Sequence, residues 1–157
     1  MFNKLLVFFV PMDRRRPLPE TIREFNTVIR DLINLLERKS RDEVEIAGID
    51  RLKKRISLLK STVGDYALIS EAHPFFVKYA REILDRNAYE TLVMTTDVRA
   101  EYLKLKPKIN PEDEFAFALV DSVRAHYRNA ALQEKDSVWE SVKKLLACSI
   151  EYKLSLK

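Results

Sequence analysis

Glycine is nearly absent: the 157 residues hold two, Gly48 and Gly64, sixteen positions apart. Tight hairpin turns and bulges draw on glycine for positive φ, so a sandwich, a barrel or a dinucleotide-binding α/β sheet is not expected. A glycine-rich phosphate loop is excluded too, because neither glycine has another close to it. Cysteine is represented by Cys148 alone, which rules out an internal disulfide and fits an intracellular, reducing compartment, with the cytoplasm the expected location. Histidine occurs twice, as His73 and His126, and no two of these three residues share metal-ligand spacing. No Glu-x-x-His pair of the kind that builds di-iron sites in helical bundles is present either. Neither a metal nor a cofactor is expected.

Long hydrophobic runs are also missing. The apolar opening, Phe2–Val10, is about half the length of a membrane span, which takes roughly 20 residues, so no membrane partner is expected. Asp13-Arg14-Arg15-Arg16 follows it between Pro11 and Pro17, the reverse of the charge order in a secretory signal. Residues 1–19 read as an N-terminal segment packed on the body or on a partner.

What the chain does hold is charge, with 28 basic and 24 acidic side chains, 33% charged residues against 46% hydrophobic, and a net charge of +4. That composition suits a globular domain with a heavily charged surface. The basic excess is local: residues 1–60 carry 14 basic and 9 acidic groups, residues 61–157 carry 14 and 15.

The apolar spacing is helical almost throughout. Ile22, Phe25, Val28, Ile29, Leu32, Ile33 and Leu36 recur at three and four, predicting a helix from Glu20 to about Lys39. Asp42 with Glu45 three residues on is a capping box. Ile46, Ile49, Leu52, Ile56, Leu59 and Val63 form the next stripe, closed by Gly64 as C′ residue. Pro74 is placed as first residue of a helix stopping near Asn87, and residues 88–105 lean helical. Asn110-Pro111 with Glu112, Asp113 and Glu114 predicts a strong helix start, and Asp136-Ser137 the start of the last helix. The expected fold is all-α, a single bundle-like domain of about six helices spanning residues 1–157.

Catalytic constellations are sparse. His126 sits in Arg124-Ala-His-Tyr-Arg128 and reads as a half-buried or surface side chain. The arrangement of HEPN nucleases, Arg and then His about five residues later on one helix, is not met, since Arg124 and His126 are two apart and face different ways. Basic groups give a better signal. Arg51, Lys54 and Arg55 share one helix face at i, i+3 and i+4, Arg14, Arg15 and Arg16 add a second cluster, and Arg23 and Arg30 share a face seven residues apart. These are the nucleic-acid-binding candidates, able to track a phosphate backbone. No aromatic residue interleaves with them, so a base-stacking platform is not expected.

Aromatic residues form the other informative set. Phe75 and Phe76, like Phe115 and Phe117, diverge widely around a helix, so one member of each pair is expected to face away from the main core. Phe8, Phe9, Phe75 and Phe117 are therefore the interface candidates, for a second copy or another subunit.

Residues 98–132, from Val98-Arg99-Ala-Glu-Tyr-Leu-Lys-Leu through Asn110-Pro-Glu-Asp-Glu-Phe115 to Ala-Ala-Leu132, resemble the helical domain of the archaeal and eukaryotic GINS replication subunits. The resemblance covers about a quarter of the chain. It implies a non-enzymatic scaffold that joins other replication proteins around the replicative helicase. The functional expectation is a non-catalytic assembly subunit of an intracellular nucleic-acid-handling complex, DNA replication first among them. The alternative is direct, non-sequence-specific binding of DNA or RNA through the basic N-terminal third, and a small helical nuclease using His126 comes third.

Overall fold

A computed structural model describes residues 18–105 and 115–156, and these are helical with no strand among them. The described helices number eight: α1 Leu18–Arg38, α2 Glu43–Thr62, α3 Ala67–Lys78, α4 Ala80–Leu84, α5 Arg86–Met94, α6 Val98–Leu105, α7 Phe115–Tyr127 and α8 Leu132–Ser155. The all-α expectation holds, while the expected count of six is corrected. Two predicted helices over 74–105 are four shorter ones. Asp85, in extended conformation, caps α5 by accepting from the amides of Asn87 and Ala88, which breaks the chain after Leu84. None of the described helices is long and apolar enough to cross a membrane.

α1 forms as its spacing dictates, burying Phe25, Ile29, Leu32, Ile33 and Leu36 on one face. Each such side chain contributes roughly 1.5–3 kcal/mol of hydrophobic burial. Asp42 caps α2, with the Glu45 amide donating to Asp42 Oδ1 at 2.8 Å, while Glu45 Oε2 accepts from the amide of Arg41, one residue before the cap, at 2.9 Å. Successive residues turn by about 100° on a helix, so Glu45 stays in phase with Ile49, Leu52 and Leu59 while Ile46 swings off that face. Glu45 is accordingly buried and Ile46 half exposed, a correction to the predicted stripe. At the far end, Gly64 has φ 132, a conformation that other residues rarely adopt, and it turns the chain out of α2 as expected of a C′ residue.

Two helix starts differ from expectation. Pro74 lies inside α3 rather than at its first position, because α3 begins at Ala67 directly after the Gly64 turn. α8 begins at Leu132, after an extended Ala131, and not at Asp136. Asp136 is engaged instead by the guanidinium of Arg86. The predicted start at Asn110–Glu114 lies outside the described residues. The first described amide of α7, that of Phe115, donates to Glu71 Oε1 of α3 at 2.6 Å.

Partner choice among the helices positions the candidate site. α1 packs chiefly on α8, α2 on α7, and α3 on α8, around one apolar cluster. α1 and α2 run antiparallel, since Glu37 near the end of α1 pairs with Lys53 in mid-α2 and Asn26 donates to the Asp65 carbonyl beyond the end of α2. Their closest packing is with other helices, which leaves a cleft between them.

The aromatic expectation is overturned. Phe75 and Phe76 are 5% and 1% exposed, Phe115 and Phe117 0% and 2%. Phe117 meets Phe75 at 6.5 Å and Tyr102 at 5.5 Å, edge to face, and Phe76 meets Phe25 at 6.2 Å. Both members of each pair fit inside because α3 and α7 are covered on more than one side, by α8, α2 and each other. Phe75 and Phe117 thus present no surface to a second chain. Phe8 and Phe9 lie outside the described residues.

Candidate functional site: a basic-rimmed groove

A concavity of about 770 Å³ lies in the cleft between α1 and α2, lined also by the Asp65–Tyr66 turn and by Leu68 of α3. Its floor is apolar, built from Ile22, Ile29 and Ile33 of α1 with Ile56 of α2 and Leu68. Ile29 and Ile33 face inward as part of the α1 core stripe, whereas Ile22 and Ile56 are only half-buried and form the open part of the floor. The rims are cationic. Arg23 and Arg30 stand on the α1 bank, Lys53 and Lys60 on the α2 bank, and all four are exposed. Asp65 is the acidic residue on the lining. The Lys53–Glu37 and Arg30–Asp31 pairs are solvent-exposed, and exposed pairs contribute only about 0–1 kcal/mol. No ion pair engages Arg23 or Lys60 among the described residues. Sequence reading placed these residues on stripes and faces but not in one cleft. The heptad spacing of Arg23 and Arg30 was the available signal.

The predicted nucleic-acid residues are split. Arg51 and Lys54 are exposed, and among the described residues no ion pair engages them, as a phosphate contact requires. Arg55 is half-buried and turned towards Glu71 of α3, 3.8 Å away, so the expected trio splits into two exposed cations and one turned inward. The i, i+4 geometry was right. What it could not show is that α3 brings a carboxylate to that edge of α2. Arg14, Arg15 and Arg16 lie outside the described residues.

His126 is buried at 3% exposure, not half-buried or at the surface. Its Nε2 has no hydrogen-bond partner among the described residues. Burial holds the imidazole below its ordinary value, against the pull of Glu134 and Glu45, with Arg41 and Lys39 adding to the depression. Around it lies a polar clamp between the α1–α2 and α7–α8 connections. Asn129 Nδ2 donates to Glu45 Oε1 at 3.2 Å, Arg41 Nη1 to the Asn129 carbonyl at 2.8 Å, and Arg41 Nη2 to Glu134 Oε1 at 3.1 Å. These bonds tie two loops together. The 770 Å³ groove is lined by α1, α2, the Asp65–Tyr66 turn and Leu68 of α3, and His126 is not part of it.

Arg124 has a role that the sequence reading missed. Its guanidinium donates to the carbonyls of Val93, Leu92 (3.2 Å) and Thr96 (2.6 Å), at the C-terminal end of α5. Among the described residues no group of three or more His, Cys, Asp or Glu side chains is arranged to hold a metal ion. No family model, curated protein or solved structure matches this chain.

Proposed function

We propose that this chain is a non-catalytic assembly subunit of an intracellular nucleic-acid-handling complex, a single bundle-like domain whose α1–α2 hairpin is its docking element. The observation that carries this reading is the groove itself: a cleft of about 770 Å³ between two helices, with an apolar floor and a cationic rim. Open apolar surface framed by polar residues is the usual mark of a protein–protein contact. The resemblance of residues 98–132 to the GINS helical domain favours DNA replication as the setting. The reading is tested by affinity capture of the tagged chain from its native cell, with and without nuclease, read by mass spectrometry. Replication proteins held after nuclease treatment are the expected result. A monomer that retains no protein once nucleic acid is digested would sink the proposal.

A second reading, direct binding of DNA or RNA, has one observation in its favour: Arg51 and Lys54 are exposed, with no acidic partner among the described residues. It calls for an affinity that falls steeply with salt.

A further inference from the structure

We propose that the α1–α2 groove receives one amphipathic α-helix of a partner protein, with an apolar stripe on the isoleucine floor and acidic residues flanking that stripe on both sides. This rests on the assembly reading and names the chemistry of its partner.

Shape gives the first argument. The α1 wall of the groove runs from Leu18 to Asn34, about 24 Å at 1.5 Å per residue. That is a little over four helical turns, the length of an ordinary docked helix. Ile29 and Ile33 are buried in the core at 2% and 6% exposure, so the apolar contact open to a partner is half-buried Ile22 on one wall and half-buried Ile56 on the other. A helix with one apolar stripe lays that stripe between them.

Charge gives the second. Arg23 and Arg30 are seven residues apart on one bank, and Lys53 and Lys60 are seven apart on the other. Each pair is therefore two turns, about 10.5 Å, apart along its helix. Cations at heptad spacing on both sides of an apolar floor are the complement of a helix with Glu or Asp at e and g, the positions that set partner choice in coiled coils. Other occupants fit less well. A phosphate backbone would satisfy the rim but leave Ile22 and Ile56 against a polar strand. The chain's own Phe2–Val10 is apolar but carries Lys4 as its one charge and leads into Arg14–Arg16, which would bring cations to a cationic rim.

The test uses the full-length chain and a labelled three-heptad peptide with Leu and Ile at a and d and Glu at e and g, followed by fluorescence anisotropy. A second peptide carries Lys at e and g. The wild-type chain is expected to bind the Glu peptide at least about tenfold more tightly than the Lys peptide. R23E/R30E/K53E/K60E inverts that order, R51E/K54E leaves it unchanged, and Ile56→Glu weakens binding of both peptides. Circular dichroism checks the fold, and K53E/K60E alone serves if the fourfold variant does not fold. Absence of binding, lack of preference, or a preference that survives the reversal overturns the proposal. So does an oligonucleotide that binds more tightly than the Glu peptide and is lost in the same reversal. Proteins captured from the native cell equally by the wild type and the groove-reversed chain would overturn the groove inference while leaving the assembly reading standing.

Discussion

Replacing Arg124 by methionine separates a structural arginine from a catalytic one. α5 ends at Met94, so the carbonyls of Thr91, Leu92, Val93 and Met94 lack intrahelical donors. Thr91 is served by the amides of Thr95 (2.9 Å) and Thr96 (3.2 Å). Leu92 and Val93, both 5% exposed, are served by Arg124, which also reaches the Thr96 carbonyl. One guanidinium from α7 thus closes the C-terminal end of α5, with its positive charge on the negative end of the helix dipole. Methionine keeps most of the aliphatic stem and removes all the donors. An orphaned buried carbonyl costs about 1–3 kcal/mol, and water admitted at this half-buried site relieves part of that. The expected loss is therefore about 3 kcal/mol of unfolding free energy, or roughly 6–12 °C in melting temperature for a chain of this size.

Urea titration followed by circular dichroism measures this directly, with the slope of the transition expected to stay constant. Arg124→Lys tests the geometry, because a point charge on a flexible stem cannot reach three carbonyls in the plane of a fork, and it is expected to recover less than half the loss. A stability within about 1 kcal/mol of wild type for Arg124→Met would refute the capping argument. It would also return Arg124 and His126 to consideration as functional neighbours.

Three further outcomes are expected. The imidazole of His126 is held below its ordinary value of 6.5 by burial, so the unfolded chain binds the proton more readily and stability falls as pH drops below about 6.5; His126→Gln should flatten the fall in urea midpoint between pH 7.5 and 5.5, and an unchanged pH slope would count against it. Gly64→Ala should cost about 1–2 kcal/mol in thermal unfolding, through φ 132 rather than through crowding, since the nearest atoms to an added Cβ are Tyr66 ring carbons at 3.6 and 3.7 Å; a neutral result would mean that the turn relaxes. Charge reversal at Arg51 and Lys54 should leave the melting temperature unchanged, whereas Arg55→Glu, facing Glu71, should lower stability by about 1–3 kcal/mol; equal melting temperatures would show that Arg55 is not structural.

What was legible in the sequence was what a single helix decides for itself. The α1 stripe, the Asp42–Glu45 cap and the Gly64 exit depend on residues within one or two turns, and each stands as read. Apart from Ile46, whose exposure follows from the phase of α2 itself, the errors fall where a second element intervenes. Asp136 looks like an N-cap until Arg86 from α5 takes its carboxylate. Arg55 looks like a member of a free basic face until α3 brings Glu71 beside it. Phe75 and Phe117 look surplus until α3 and α7 are covered from several sides and the two rings meet. The groove belongs to the same class of feature. The amphipathic pattern of α1 and of α2 states that each must bury a face, but not against which helix. Had the two chosen each other, Ile22 and Ile56 would lie in a closed seam, with the four cations splayed to solvent around it. Because α1 packs on α8 and α2 on α7, the half-buried isoleucines remain open between two charged banks. The docking proposed at this surface thus rests on helix pairing. Its most direct control is a substitution that changes the pairing surface at Ile56 while leaving the α7 and α8 contacts of the hairpin intact.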